Sequence, residues 1–145
     1  MISSFRLFIH VFGIACFACS EDVHRETFYV EGPKIFAPNG ESFIARGVNK
    51  MIFYQDRSGE ESYREIARTG ANIVRILWFT TGTAEELDVT LTNCIAHNMV
   101  AMPAVWEATG KWERLQQCVD YWSREDIVAV IEKHKKYVLL NIANE

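Results

Sequence analysis

The sequence predicts an α/β protein whose parallel sheet is covered by helices on both faces. Three observations predict it. The apolar runs at 72–78, 100–106 and 137–142 are continuous rather than alternating, as in strands buried on both sides. Amphipathic stretches with start and stop signals separate them. The strand-to-strand spacing is close to the roughly thirty residues of a strand–helix crossover unit.

The first twenty residues stand apart. Arg6 precedes an almost wholly apolar stretch at 7–19, and Ala18-Cys19-Ser20 supplies small residues before Glu21-Asp22. That is the layout of a secretory signal peptide, too short for a membrane span. Residues 1–20 are therefore expected to be removed. The remainder, 21–145, is expected to be a secreted, extracellular product with no membrane partner.

The elements follow in order. Short apolar runs at 28–30, 34–36 and 42–45 flank Gly32-Pro33 and Asn39-Gly40. Asn-Gly between apolar runs signals a hairpin, so an antiparallel ribbon precedes the main fold. Residues 46–49 read as a first parallel strand. Ser58-Gly59-Glu60-Glu61 fits a capping box for a helix carrying Tyr63, Ile66 and Ala67, with Gly70 as its stop. After the second strand, Thr83-Ala84-Glu85-Glu86 caps a helix carrying Leu87, Leu91 and Ile95 that ends near Asn98. In the third strand Pro103 would delete a ladder donor, which predicts a bulge or local irregularity. Residues 112–122 read as helical, and Ser123-Arg124-Glu125-Asp126 caps a further helix through Ile127, Val130 and Ile131. His134-Lys135-Lys136 suits that helix's negative end, and 137–142 form the fourth strand.

Composition narrows the function classes. Without Arg6, 14 of the 15 basic residues remain against 19 acidic ones, a net charge of −5 with no basic run, which argues against a nucleic-acid partner. Cys94 and Cys118 fall in amphipathic stretches and read as buried thiols, although secretion would permit a bridge. The histidines lack ligand spacing, and neither a phosphate-cradling glycine loop nor a nucleophile elbow occurs, so no metal or cofactor is expected.

Two places carry chemistry. Arg75 shares its strand face with Ile73 and Leu77, and an unpaired guanidinium there is costly, so it is expected to meet a carboxylate. Trp78 follows the second strand, and Trp106, Glu107 and Trp112 follow the third. In a sugar site such aromatics are stacking platforms; in a core they are packing, and Glu107 alone reads as a solvated loop carboxylate. Asn144-Glu145 closes the fourth run, and strand ends of this kind face the mouth of a β/α barrel.

Phe28-Tyr29-Val30, Asn39-Gly40, Arg46-Gly47-Val48-Asn49, Thr69-Gly70-Ala71-Asn72-Ile73-Val74-Arg75, Ala108-Thr109-Gly110 and Asn141-Ile142-Ala143-Asn144-Glu145 recur in order. Together they resemble the N-terminal half of glycoside hydrolase family 5, nearest its endo-β-1,4-mannanase branch. The resemblance implies a partial (β/α)8 TIM barrel of about four units behind the ribbon, and retaining hydrolysis of a β-1,4-linked polysaccharide by two glutamates. It implies Glu145 as acid/base, Asn144 at the sugar 2-position and Arg75 beside the nucleophile. Asn49, Trp106, Glu107 and Trp78 would bind substrate. The chain departs from the family pattern at Trp106 and Lys50, where histidines are usual, and Glu107 stands for an aspartate. The nucleophile is expected on a later strand, so 21–145 reads as the N-terminal portion of the catalytic domain, truncated after the fourth strand and inactive alone. The alternatives are a β-1,4-glucanase of the same family and a non-catalytic half-barrel.

Overall fold

A computed structural model describes residues 25–144; segment 1–20, expected from the sequence to be a signal peptide, and Glu145 lie outside the described residues. The ribbon comes first. β1 (Tyr29–Glu31), β2 (Lys34–Phe36) and β3 (Ser42–Phe43) pair antiparallel in that order, with Tyr29 stacked on its cross-strand partner Phe36. Asn72 ties the chain leaving the ribbon to the main sheet. Its Oδ1 accepts from the Arg46 N–H at 2.7 Å and its Nδ2 donates to the Ile44 carbonyl at 2.9 Å.

The main sheet holds β4 (Gly47–Met51), β5 (Ile73–Trp78) and β6 (Val100–Val105), parallel and in sequence order. β4 lies so close to β5 that a Cβ on Gly47 would stand 1.8 Å from the Ile73 carbonyl oxygen. Only glycine fits there.

Alternation along β5 separates two rows. Val74, Ile76 and Trp78, with Ala101 and Val105 of β6, enter one apolar cluster with helix residues Tyr63, Leu87, Leu91, Cys94, Cys118, Tyr121 and Ile127. These belong to α1 (Glu60–Ala67), α2 (Ala84–Ala96), α3 (Leu115–Trp122) and α4 (Glu125–His134). Within it the Tyr63 and Thr90 hydroxyls share a hydrogen bond of 2.7 Å, so neither buried oxygen lacks a partner. Cys94 and Cys118 are free and buried, and burial pushes the Cys94 thiol up to about 12. A thiol so placed is packing, not a nucleophile.

Several sequence expectations need correction. The Thr83–Glu86 capping box on α2 forms reciprocally, but on α1 Ser58 is not the N-cap, although its hydroxyl accepts from the Glu60 N–H at 3.3 Å. Gly59 occupies that N-cap at φ 73°, and the Asp56 carboxylate accepts from the Ser62 N–H at 2.9 Å. Ser123 ends α3 rather than capping α4; the N-cap of α4 is Arg124, without a side-chain cap bond. Residues 112–122 divide into a 3-10 turn (Trp112–Arg114) and α3.

Pro103 makes no bulge: β6 keeps unbroken register with β5, Ile76 opposite Pro103. The amide protons of Val100 and Trp106 bond to β5, so even-numbered residues of β6 direct their backbone there. The proline nitrogen therefore faces the opposite side, toward the fourth run, where the Pro103 carbonyl accepts from Asn141 N–H at 3.1 Å.

The fourth run departs most from expectation. A 3-10 turn occupies Lys135–Tyr137, and 137–142 pair with β6 only through isolated bridges at Val138 and Asn141. The Leu139 and Asn141 amides bond to Ala101 and Pro103, but the next bond, to Val105, comes from Asn144. One extra residue is thus accommodated just before the chain's last carboxylate. A ladder that β6 can return only in part, because Pro103 has no proton, does not build a regular strand here.

Candidate active site

The second row of the sheet is where polar groups collect. Asn49, Arg75 and Met102 stand in register across β4, β5 and β6, on the side away from the helix-facing cluster. Asn49 is exposed and Arg75 half-buried. Arg75 Nη2 donates to Asn144 Oδ1 at 2.9 Å. The expected carboxylate partner is thus replaced, among the described residues, by an amide. Asn144 is 9% exposed; its own N–H donates to the Val105 carbonyl at 2.7 Å and its Nδ2 to Thr109 Oγ1 at 2.7 Å. Two residues 69 apart in sequence meet directly.

Trp106 continues this row. Its N–H extends the ladder to the Trp78 carbonyl at 3.0 Å, its side chain is half-buried, and its carbonyl accepts from both the N–H and the hydroxyl of Thr109. Trp78 does not belong to it. That ring is fully buried on the helix-facing side, edge-on to Phe53, and its indole N–H donates to the Tyr121 hydroxyl at 2.7 Å. Burial pushes Tyr121 up to about 12, so the phenol stays neutral and free to accept. Trp78 is core, and its assignment as a sugar platform is corrected.

Glu107 is not a solvated loop carboxylate. Its Oε1 accepts from the Thr80 N–H at 2.6 Å and the Thr80 hydroxyl at 2.7 Å, and Gln117 Nε2 donates to that hydroxyl at 2.7 Å. The carboxylate thereby ties the loop after β6 to the loop after β5. Its Oε2 is buried without a hydrogen-bond partner. Trp112 lies apart from both, 84% exposed after the same loop.

The described residues brought together are therefore Arg75, Asn144, Trp106 and Thr109, with Asn49 beside Arg75 in the sheet. Thr109 lies in the Ala108-Thr109-Gly110 motif, which predicts no role for it. A hydroxyl three residues past a strand's last carbonyl can bond back to it, and that was its available signal. A cavity of about 480 Å³ lies elsewhere, between ribbon residues such as Phe28 and Phe43 and the strand starts at Asn72 and Val100. None of the sequence-identified site residues lines it.

No protein-family model matches the chain. Individual proteins do. The chain is 36% identical over 125 residues to the mannan endo-1,4-β-mannosidase of Salipaludibacillus agaradhaerens, covering 81% of this chain and 40% of that protein. It is 32% identical over 129 residues to the enzyme of the same name from Cellvibrio japonicus, covering 81% and 29% respectively. With that from Streptomyces lividans it shares 32% identity over 127 residues, covering 81% and 32%. The chain thus spans less than half the length of the curated relatives it matches. Among solved structures, the catalytic domain of a mannanase from Streptomyces sp. SirexAA-E superposes with a TM-score of 0.73 at 22% identity, covering 97% of this chain and 46% of that one. The fold described above is the fold of part of that domain.

Proposed function

We propose, from the premise that this chain is a sequence relative of the mannan endo-1,4-β-mannosidases, that it forms the first half of a (β/α)8 barrel whose complete form hydrolyses β-1,4-linked mannan with retention. The observation that carries the reading is the Arg75–Asn144 hydrogen bond, which joins an arginine of β5 to the residue directly before Glu145. Retaining hydrolysis needs two carboxyl groups about 5 Å apart. Glu145 is the acid/base: it protonates the leaving oxygen, then takes a proton from the water that releases the sugar. The nucleophile comes from a later strand, and Arg75 keeps it ionised by its positive charge. Asn144 meets the sugar near its 2-position, and Trp106 offers a ring face to a pyranose. Residues 1–20 direct the product out of the cell. The departure at Trp106 falls on the Arg75 side of the sheet, whereas Lys50 stands opposite Ile76 on the other side; a β-1,4-glucan is the second substrate to assay.

The test is Glu145→Ala in the intact gene product. Mannan hydrolysis should fall about 10²- to 10⁴-fold, the usual contribution of a general acid/base. Aryl mannosides with very good leaving groups should keep their glycosylation step, and azide should restore their turnover with retained configuration. Unchanged mannan hydrolysis would remove Glu145 from the mechanism. Residues 21–145 expressed alone should turn over neither polysaccharide.

A further inference from the structure

Thr109 stands at the end of a one-way chain of hydrogen bonds. Arg75 Nη2 donates to Asn144 Oδ1 at 2.9 Å, Asn144 Nδ2 donates to Thr109 Oγ1 at 2.7 Å, and Thr109 Oγ1 donates to the Trp106 carbonyl at 2.8 Å. Each link has one polarity. A guanidinium only donates, so the amide must turn its oxygen toward Arg75. A hydroxyl has one proton, and Thr109 directs it to Trp106, so it can only accept from Asn144. Two neighbours on different elements thus demand the same amide orientation. The flipped amide would set its NH2 group against the guanidinium and its carbonyl against an oxygen with no proton to give. The main chain holds the ends: Asn144 N–H donates to the Val105 carbonyl at 2.7 Å and Thr109 N–H to the Trp106 carbonyl at 3.0 Å.

From this geometry we propose that Thr109 is a positioning residue: with Arg75 it clamps the amide of Asn144 from both ends and so steadies how that residue meets the sugar 2-hydroxyl. Mannose and glucose differ only in the direction of that hydroxyl. A hydroxyl can donate or accept, so it is the fixed position of the amide, not its polarity, that can favour one direction over the other. The substrate half of this inference rests on the glycosidase reading; the amide orientation does not.

The experiment compares Thr109→Val, which keeps the shape and removes the hydroxyl, with Thr109→Ser, which keeps the hydroxyl. In the intact gene product, Thr109→Val should lower kcat/KM on mannan oligosaccharides about 3- to 10-fold, the range of one lost hydrogen bond. Thr109→Ser should stay within about twofold of the parent. The Thr109→Val loss should vanish in an Asn144→Ala background, because the threonine acts only through that amide. Independently of activity, the Asn144 side-chain amide protons should exchange with solvent faster in Thr109→Val than in the parent or in Thr109→Ser. A loss that persists in the Asn144→Ala background, or amide exchange untouched by Thr109→Val, overturns the proposal. An intact product inactive on both glycans would instead sink the glycosidase reading, and amide exchange would still decide whether Thr109 positions Asn144.

Discussion

On the helix side of β5, Val74, Ile76 and Trp78 are completely buried, while on its other side Arg75 and Leu77 are only partly covered. One residue of displacement separates packing from chemistry. The buried row touches α1 to α4 and holds the fold together; the other row presents a guanidinium, an amide and an indole on one surface. A strand with side chains alternating by two can serve both demands without compromise, because neither row's substitutions need disturb the other. Variants in the two rows should therefore sort cleanly, by stability on one side and by activity on the other.

The largest effect should come from Trp78→Ala. The cavity it leaves, together with a Tyr121 hydroxyl deprived of its donor, should cost about 3–5 kcal/mol in urea unfolding. A loss below about 1 kcal/mol would show that the helix-facing row does not carry the fold. The converse substitution, Arg75→Met, removes one charge-assisted bond at a half-exposed site and should cost less, at most about 1.5–3 kcal/mol. Its activity loss in the intact gene product should nevertheless exceed that of Ile76→Val, whose cost is confined to stability at about 0.5–1.5 kcal/mol. Equal activity losses from Arg75→Met and Ile76→Val would erase the distinction between the rows.

The alternation that separates these rows is legible in the sequence. Parity put Arg75 with Ile73 and Leu77, and the same parity already put Trp78 on the opposite side. Local signals read well where the whole interaction is local: the reciprocal Thr83–Glu86 cap spans three residues, and both partners are visible together. Ser58 carries the same signal, yet its hydroxyl accepts from the Glu60 N–H while Asp56, two residues earlier, takes the Ser62 N–H. The fourth run could not be judged from its own apolar residues. Its regularity depends on what β6 offers it, and Pro103 withholds a proton on that side. The partners of Arg75 and Glu107 were equally out of reach. They lie 69 and 27 residues away, where no periodicity connects them. The kind of chemistry was nevertheless readable, because the motifs sit at strand ends whose order follows the chain.

The smallest expected effect lies far from both rows, where α2 meets α4. Asp88 accepts from Lys133 Nζ at 2.7 Å and pairs with His134 Nε2 at 2.5 Å. The hydrogen bonds from Lys133 and then His134 hold its carboxyl below the ordinary aspartate range, against a modest opposing cost of burial. A carboxyl whose folded pKa is depressed adds stability that is fully present above its unfolded pKa, near 3.8, and is lost as pH falls through the folded value. Asp88→Asn should therefore cost about 0.5–1 kcal/mol at neutral pH, the upper range for a partly exposed ion pair. The difference from the parent should be constant from about pH 7 down to about pH 5 and shrink steadily below about pH 4. Thermal unfolding of parent and variant at matched pH values reads it directly. High salt should reduce the same difference, since these charges are open to screening. A gap that instead widened on acidification would mean that protonation of Asp88 stabilises the α2–α4 contact, the opposite of what its bonds to Lys133 and His134 require.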